Sequence, residues 1–201
     1  ASWKIWNVST VGGNVATALP AGPLISLLSS ADATALILRP DGSARRASVA
    51  ELVVGPAHTR LTAGELIRSF LVPGSVLAQE PAFRRISLTE RGRSAALLIG
   101  RRTSETSLRL TVTASTFHPI VRDVAGDVPS PGPGTEAGAV GIPADGAAWR
   151  EAIDRIVGDR WYDDIHGEPA WRRLMTHRLG EEIIAELLPG LATGVDDAIG
   201  R

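Results

Sequence analysis

Residues 126–146 constrain the fold of this chain more than any other segment. They are rich in glycine, proline, aspartate and alanine and contain almost no large apolar side chain. Such a segment cannot supply a hydrophobic core, and its composition is typical of a linker or a long surface loop. The 201-residue chain must therefore build its core from the residues on either side.

Before this segment, short apolar runs bounded by turn residues predict a mixture of strands and short helices. Alternating apolar and polar residues over 7–11 predict a strand, which a glycine turn separates from a helix start at 15–18. Residues 24–28 predict a short helix. The triplet 40–42, Pro-Asp-Gly, predicts a hairpin between two further strands. Ser48 and Glu51 have the spacing of a capping box at the start of another helix.

Four later runs in succession predict an antiparallel meander. Each is bounded by glycine, proline or charged residues, and the runs are 66–72, 82–88, 94–101 and 108–115.

Beyond the linker, apolar residues at helical spacing predict helices over 147–157 and 169–188. We therefore expect an α+β fold in three parts. An antiparallel sheet with short helices covers 1–122, a Gly/Pro-rich linker covers 123–146, and a small helical lobe covers 147–201.

Composition excludes several classes of function. The 21 Lys+Arg and 22 Asp+Glu residues leave a net charge of −1, so we expect no nucleic-acid partner. The chain has no cysteine, which excludes disulfides, thiolate metal sites and cysteine-ligated iron–sulfur clusters within it. The longest apolar stretches fall far short of the roughly 20 residues that span a bilayer, so we expect no membrane segment.

The strongest local motif is Thr10-Val11-Gly12-Gly13-Asn14. Two glycines without Cβ atoms let backbone N–H groups approach a pyrophosphate, and the hydroxyl and amide add neutral hydrogen-bonding groups. A glycine pair after a strand is also common in a simple tight turn. The pentapeptide alone leaves both interpretations open.

The residues around this motif resemble a known family. Residues 6–22 are similar to the second flavin motif of the FAD-binding subunits of molybdenum hydroxylases, which include the medium subunits of carbon monoxide and xanthine dehydrogenases. Later landmarks of that family follow in the same order, so the resemblance covers most of the chain. The segments of this chain that resemble these landmarks are 61–67, 72–73, 82–88, 110–115, 163–167 and 171–173.

The resemblance implies a second FAD-binding lobe followed by a small C-terminal domain, with no catalytic or metal-ligating residue in this chain. It also implies six cofactor-binding residues. These are Thr10, Gly12, Gly13 and Asn14 at the pyrophosphate and ribityl chain, Ile67 beside the isoalloxazine ring, and Arg84 as a basic residue near the flavin.

Two departures from the family pattern lead us to expect weak or lost FAD binding by this chain alone. In the family a first FAD lobe with its own glycine-rich loop precedes the motif, and no residue precedes Ala1 here. Many members also carry an aspartate where this chain has Pro23.

By resemblance, the function is that of a medium subunit in a cytoplasmic, bacterial oxidoreductase, and it is not competent alone. Electrons would pass from a molybdopterin-binding large subunit through a [2Fe-2S] small subunit to FAD and then to an acceptor. The absence of cysteine fits clusters held on a partner chain. The alternative is a flavin-free assembly module or truncated remnant that only docks partner subunits. A third interpretation is a phosphate-ligand module unrelated to redox chemistry.

Other candidate residues favour structural roles. One acidic cluster before the last predicted helix could suggest a hard-metal site, but acidic residues there commonly cap helices. Its members are Asp163, Asp164, His166 and Glu168. The remaining histidines show no spacing typical of a catalytic triad or a zinc site.

Overall fold

The computed structural model describes residues 7–126 and 141–190. Short helices and strands alternate over most of the described residues, and two longer helices come last. In chain order they are α1 (Val11–Thr17), α2 (Pro23–Ser30), β1 (Thr34–Leu38), β2 (Ala44–Ser48), α3 (Val49–Leu52), β3 (Val53–Gly55), β4 (His58–Thr59), β5 (Leu66–Leu71), a 3₁₀ turn (Gly74–Ala78), β6 (Pro81–Ile86), β7 (Ala96–Arg102), β8 (Ser107–Thr113), β9 (Ile120–Ala125), β10 (Ile142–Pro143), α4 (Gly146–Val157) and α5 (Pro169–Leu187).

The first part of the chain forms a three-stranded antiparallel sheet in the order β2-β1-β5. The predicted hairpin joins β1 to β2, and Gly42 adopts a φ of 82° in its turn, a conformation that glycine reaches without strain. Helices α1, α2 and α3 pack with this sheet around a small aliphatic core, which we call the first core. Its buried members are Val15, Ala18, Ile25, Leu28, Ala33, Ala35, Ile37, Val49, Leu52 and Val53.

The second part is a five-stranded sheet in the order β10-β9-β8-β7-β6, antiparallel except for the short β10–β9 pair. Helices α4 and α5 pack on this sheet and form a larger core, which we call the second core. Trp149 of α4 is fully buried there, and the Cβ of any larger residue at Gly180 would lie only 2.1 Å from its indole Nε1. Gly180 is therefore required by close packing between the two helices.

Arg172 fixes α5 to the sheet. Its side chain is buried, and its guanidinium donates to the carbonyls of Gly167 at 2.7 Å, Ala95 at 2.7 Å and Ala114 at 2.6 Å. It also pairs with the Asp164 carboxylate. Burial lowers the pKa of Arg172 from its usual value, while Asp164 acts in the opposite direction. Each of these partners would be left without this donor if the guanidinium were removed.

The two cores meet along a polar layer, which we call the seam. The Ser26 and Thr113 hydroxyls are 2.7 Å apart and buried. Arg101 reaches Asp32 at 2.6 Å, and Arg109 reaches the same carboxylate at 3.0 Å. Burying a polar group without a partner costs free energy, so these paired groups favour one orientation of the two cores.

These observations confirm the predicted α+β fold with antiparallel sheets and a helical C-terminal part. The predicted three-part division at 1–122, 123–146 and 147–201 stays a prediction. Packing groups the described residues differently, because β9 continues to Ala125 and α4 and α5 share the second core with β6–β9.

Three local predictions are wrong. Residues 7 and 8 are helical and α1 begins at Val11, because Thr10 caps a helix that includes the glycine pair. The run 66–72 forms β5, which pairs with β1 instead of joining the meander. Ser48 precedes α3 but makes no side-chain cap, so the capping box does not form. In the described ranges, no helix has the length and apolar character needed to cross a bilayer.

Candidate functional site

The glycine motif lies at the exposed start of α1. The Thr10 hydroxyl accepts a hydrogen bond from the Gly13 N–H at 2.9 Å, so Thr10 acts as the N-cap. A Cβ at Gly13 would lie 2.8 Å from that same oxygen. A Cβ at Gly12 would meet only the Ile67 carbonyl, at 3.9 Å, an ordinary contact distance. Gly13 is therefore needed for the cap, whereas nothing in the described residues requires glycine at position 12.

Asn14 connects α1 to α2. Its Oδ1 accepts a hydrogen bond from the Leu24 N–H at 3.1 Å, next to Gly22. Ile67 lies on β5, packs against the first core, and places its backbone beside Gly12. Five of the six residues predicted from the resemblance are thus brought to one end of the first core.

Arg84 does not join them. Its guanidinium pairs with Glu182 at 3.2 Å and with Glu186, both on α5. These carboxylates, Glu186 first, raise the pKa of Arg84 above its usual value. Arg84 therefore faces the helical side of the second sheet, away from the glycine motif.

Its neighbour Arg85 occupies the opposite face of β6. The Arg85 guanidinium donates to the Gly92 carbonyl at 2.8 Å and to the Ser87 hydroxyl at 3.2 Å. The alternation along β6 could have revealed this, since buried Ala82 shares a face with Arg84.

Arg85 lines a cleft of about 610 Å³ that crosses the seam, and we call it the Asn14 cleft. One wall carries apolar groups from α2, and the other carries Phe83 and a set of arginines. No carboxylate lies among the described residues of its lining. Its lining includes Asn14, Leu19, Gly22, Pro23, Leu27, Phe83, Arg85, Arg91 and Arg93.

Pro23 is the first residue of α2, where Gly22 is the N-cap without a side-chain hydrogen bond. Proline suits this position because its fixed φ and missing N–H cost a helix start nothing. It supplies no charge to the Asn14 cleft, unlike the aspartate that the family resemblance leads one to expect.

The acidic cluster before α5 forms a turn. Asp164 accepts the His166 N–H at 2.8 Å and pairs with Arg172. Within 7–126 and 141–190, no group of three or more His, Asp or Glu side chains is arranged to hold a metal ion.

The part of the chain that carries the glycine motif matches a known protein family. Residues 1–75 match the family model described as FAD binding domain in molybdopterin dehydrogenase. This segment is an FAD binding domain of that family. The resemblance drawn from the sequence is confirmed, and FAD is the cofactor of this domain. The matched segment includes the motif, Pro23 and Ile67, whereas Arg84 and Arg85 lie beyond it.

Solved structures show the same fold over nearly the whole chain. Quinoline 2-oxidoreductase from Pseudomonas putida 86 matches with a TM-score of 0.69 and 19% identity, over 95% of this chain and 64% of that one. Carbon monoxide dehydrogenase from Hydrogenophaga pseudoflava matches with a TM-score of 0.68 and 16% identity, over 96% and 65%. Carbon monoxide dehydrogenase from Oligotropha carboxidovorans gives 0.67 and 20%, over 96% and 65%. This chain spans less than two thirds of the length of these structures, and no curated protein sequence matches it.

Proposed function

We propose that this chain is the FAD-binding unit of a molybdopterin-dependent dehydrogenase and relays electrons from iron–sulfur clusters through FAD to an acceptor. The observation that carries the proposal is the Asn14 cleft. It lies beside the glycine motif of an FAD binding domain, and its described lining carries arginines but no carboxylate. A doubly charged pyrophosphate and a flat, largely apolar ring system are compatible with such a lining.

The residues fit FAD by their chemistry. Gly12 has no Cβ, and the only atom of the described residues that a Cβ there would meet is the Ile67 carbonyl oxygen at 3.9 Å, so the backbone at this position is compatible with close approach of a phosphate. Thr10, Gly13 and Asn14 belong to the same helix start, and Ile67 lies beside it. We assign these residues to the phosphate and ribityl side of the cofactor.

Arg85 takes the role that the sequence prediction gave to Arg84. Together with Arg91 and Arg93 it gives the cleft a positive potential, while Leu27 and Phe83, both about half exposed, offer apolar faces to a ring. Bound FAD would supply the ability to accept single electrons and to deliver a pair. The chain's own contribution is to orient the cofactor and to balance its charge.

The partners we propose are a molybdopterin-binding large subunit and a [2Fe-2S] small subunit, in the bacterial cytoplasm. The chain has no cysteine to ligate a cluster, so clusters in such a relay must be supplied by another chain. Substrate oxidation would then take place on the large subunit.

The neighbouring arginines provide a matched test of the FAD site. NMR titration of the full chain with FAD, up to millimolar concentrations, should shift the amides of Gly12, Gly13 and Asn14, with weak affinity. Arg85→Gln should weaken binding about tenfold, since a hydrogen bond to a charged group contributes about 1.5–3 kcal/mol. Arg84→Gln should leave the affinity unchanged. The cleft assignment fails if the two variants behave alike.

Pro23 favours the second candidate, a flavin-free module that docks partner subunits. That candidate predicts no FAD-dependent shift at Gly12–Asn14 in the wild-type chain or in Pro23→Asp. Restored or tightened binding in Pro23→Asp would instead support a flavin site weakened by the proline. The same titration therefore separates the two functions.

A further inference from the structure

A second cavity, of about 550 Å³, opens on the seam away from the Asn14 cleft. Its walls come from the end of α2, from α3 and β3, from the start of β9 and from Arg160 in the loop after α4. None of the six predicted cofactor residues lines it. Its lining includes Ser29, Asp32, Glu51, Arg60, Arg122 and Arg160.

Two buried polar atoms of this lining have no hydrogen-bond partner within the described residues. They are Oγ of Ser29, whose residue is only 2% exposed, and Nε of Arg122. The Arg122 side chain is otherwise held, because its Nη1 donates to the Val121 carbonyl at 2.7 Å. Since buried polar groups in folded proteins nearly always have partners, two such atoms in residues that line one cavity point to a ligand that supplies them.

The charges of the lining favour an anion. Arg60, Arg122 and Arg160 make no ion pair in the part of the chain that the structure describes. Asp32 lines the cavity, but its carboxylate is already engaged by Arg101 at 2.6 Å and Arg109 at 3.0 Å. Only Glu51 remains to offset three guanidinium groups, so the cavity carries a positive surplus.

We propose that this cavity is an oxyanion site that binds a phosphate group, separate from the FAD site. Side-chain rotation on binding turns the Arg122 Nε–H and the Ser29 hydroxyl toward the cavity, where each donates to a phosphate oxygen, while Arg60 and Arg160 at the exposed rim supply charge. Guanidinium groups and phosphate oxygens are well matched in geometry and charge. The phosphate could be free or part of a nucleoside monophosphate, and the cavity volume accommodates either.

The test measures binding of inorganic phosphate and of adenosine monophosphate to the full chain, by calorimetry and by amide shifts near Ser29 and Arg122. Ser29→Ala and Arg160→Gln should each weaken binding about tenfold or more, as expected for the loss of one hydrogen bond to a charged group or one nearby charge. Tighter binding of the nucleotide than of phosphate would identify a nucleotide site, and equal affinity would identify a phosphate site.

Matched controls distinguish this site from general effects. Ser26→Ala removes a hydroxyl that is already bonded to Thr113, so it should lower stability but leave phosphate affinity unchanged. Arg46→Gln removes an exposed arginine outside the cavity and should also leave it unchanged. Ser29→Ala should not destabilise the free chain, because it removes a polar atom that lacks a partner.

The proposal is overturned if neither probe shifts the cavity amides, or if Ser29→Ala and Arg160→Gln bind phosphate as the wild type does. It is independent of the proposed function. Amide shifts at Gly12 report FAD and those at Ser29 and Arg122 report phosphate, so either site can fail while the other stands.

Discussion

The first and second cores differ in how firmly they hold the elements around them. The first core buries alanine and aliphatic side chains, and α1 contributes only Val15 from its seven residues. The second core buries Trp149 and Trp161 and is tied to α5 by Arg172. The glycine motif thus lies on a lightly packed element beside a well-packed one. Binding segments are commonly drawn from regions of low local stability, since they must adapt to a ligand.

This contrast assigns different tasks to the two parts. The second core supplies the larger share of buried surface, and with it most of the hydrophobic stabilisation. The first core carries the glycine motif. The seam contacts Ser26–Thr113 and Arg101–Asp32 join the first core to the second core. Both cavities that we assign to ligands open on this seam.

The sharpest test of the contrast removes the central polar contact of the second core. Arg172→Met should lower the free energy of unfolding by about 3–5 kcal/mol, because three carbonyls lose the buried guanidinium that donates to them and the partly buried Asp164 carboxylate loses its ion pair. Urea unfolding followed by tryptophan fluorescence measures the change. Hydrogen exchange at Ile37 would show whether the first core opens together with the second.

The adjacent arginine is the control. Arg173 is half exposed and pairs with Asp154 at 2.6 Å, so Arg173→Met should cost less than about 1 kcal/mol. Equal losses in the two variants would contradict the role given to Arg172. Unchanged exchange at Ile37 in Arg172→Met would show that the first core is stable without the second.

How far the sequence predicts this molecule depends on the range of the interactions involved. Local patterns identified the hairpin, both long helices and the glycine motif. The partner of β5 could not be read locally, since pairing with β1 joins residues about thirty positions apart in the chain and nothing in residues 66–72 encodes it. The ion pairs of Arg84 could not be read locally for a related reason: Glu182 and Glu186 lie on a helix that the sequence prediction places in a separate lobe.

The candidate site was predictable where it is local and unpredictable where it crosses the seam. Thr10 to Asn14 form one continuous motif, whereas the arginine wall of the Asn14 cleft comes from β6 and the loop after it. The sequence also did not reveal the helix cap at Thr10, because a threonine before two glycines predicts a turn as readily as a helix start. Burial of Ala82 is the signal that would have selected Arg85.

The second test acts on the edge of the first core, where an ion pair holds the loop before β5. Arg45 donates to both oxygens of Glu65 at 2.7 Å, and this pair, with the Thr62 N–H, lowers the pKa of Glu65 from 4.5 to about 2. Because the pKa of Glu65 is lower in the folded chain than in the unfolded chain, the ionised carboxylate stabilises the fold at pH values above the unfolded pKa of 4.5. That contribution is lost as the pH falls toward about 2.

Glu65→Gln should therefore remove part of the acid sensitivity of the chain. Between about pH 5 and pH 2, the free energy of unfolding should fall less steeply in the variant than in the wild type. Urea unfolding at a series of pH values measures both slopes. Glu105→Gln changes an exposed carboxylate with no ion pair in the described ranges, so it should keep the wild-type slope. Identical slopes in Glu65→Gln and the wild type would show that this pair does not stabilise the first core.

The smallest expected effects distinguish a real helix cap from an apparent one. The Asp145 carboxylate accepts the Ala148 N–H at 2.8 Å at the start of α4, so Asp145→Ala should cost about 1 kcal/mol. Ser48 has the sequence signature of a cap but makes no such bond, and Ser48→Ala should stay within about 0.5 kcal/mol of the wild type. Thermal unfolding of the two variants compares a cap in the second part of the molecule with a cap motif in the first. If Ser48→Ala proved as costly as Asp145→Ala, the capping box would form in solution and α3 would be held more firmly than its contacts indicate.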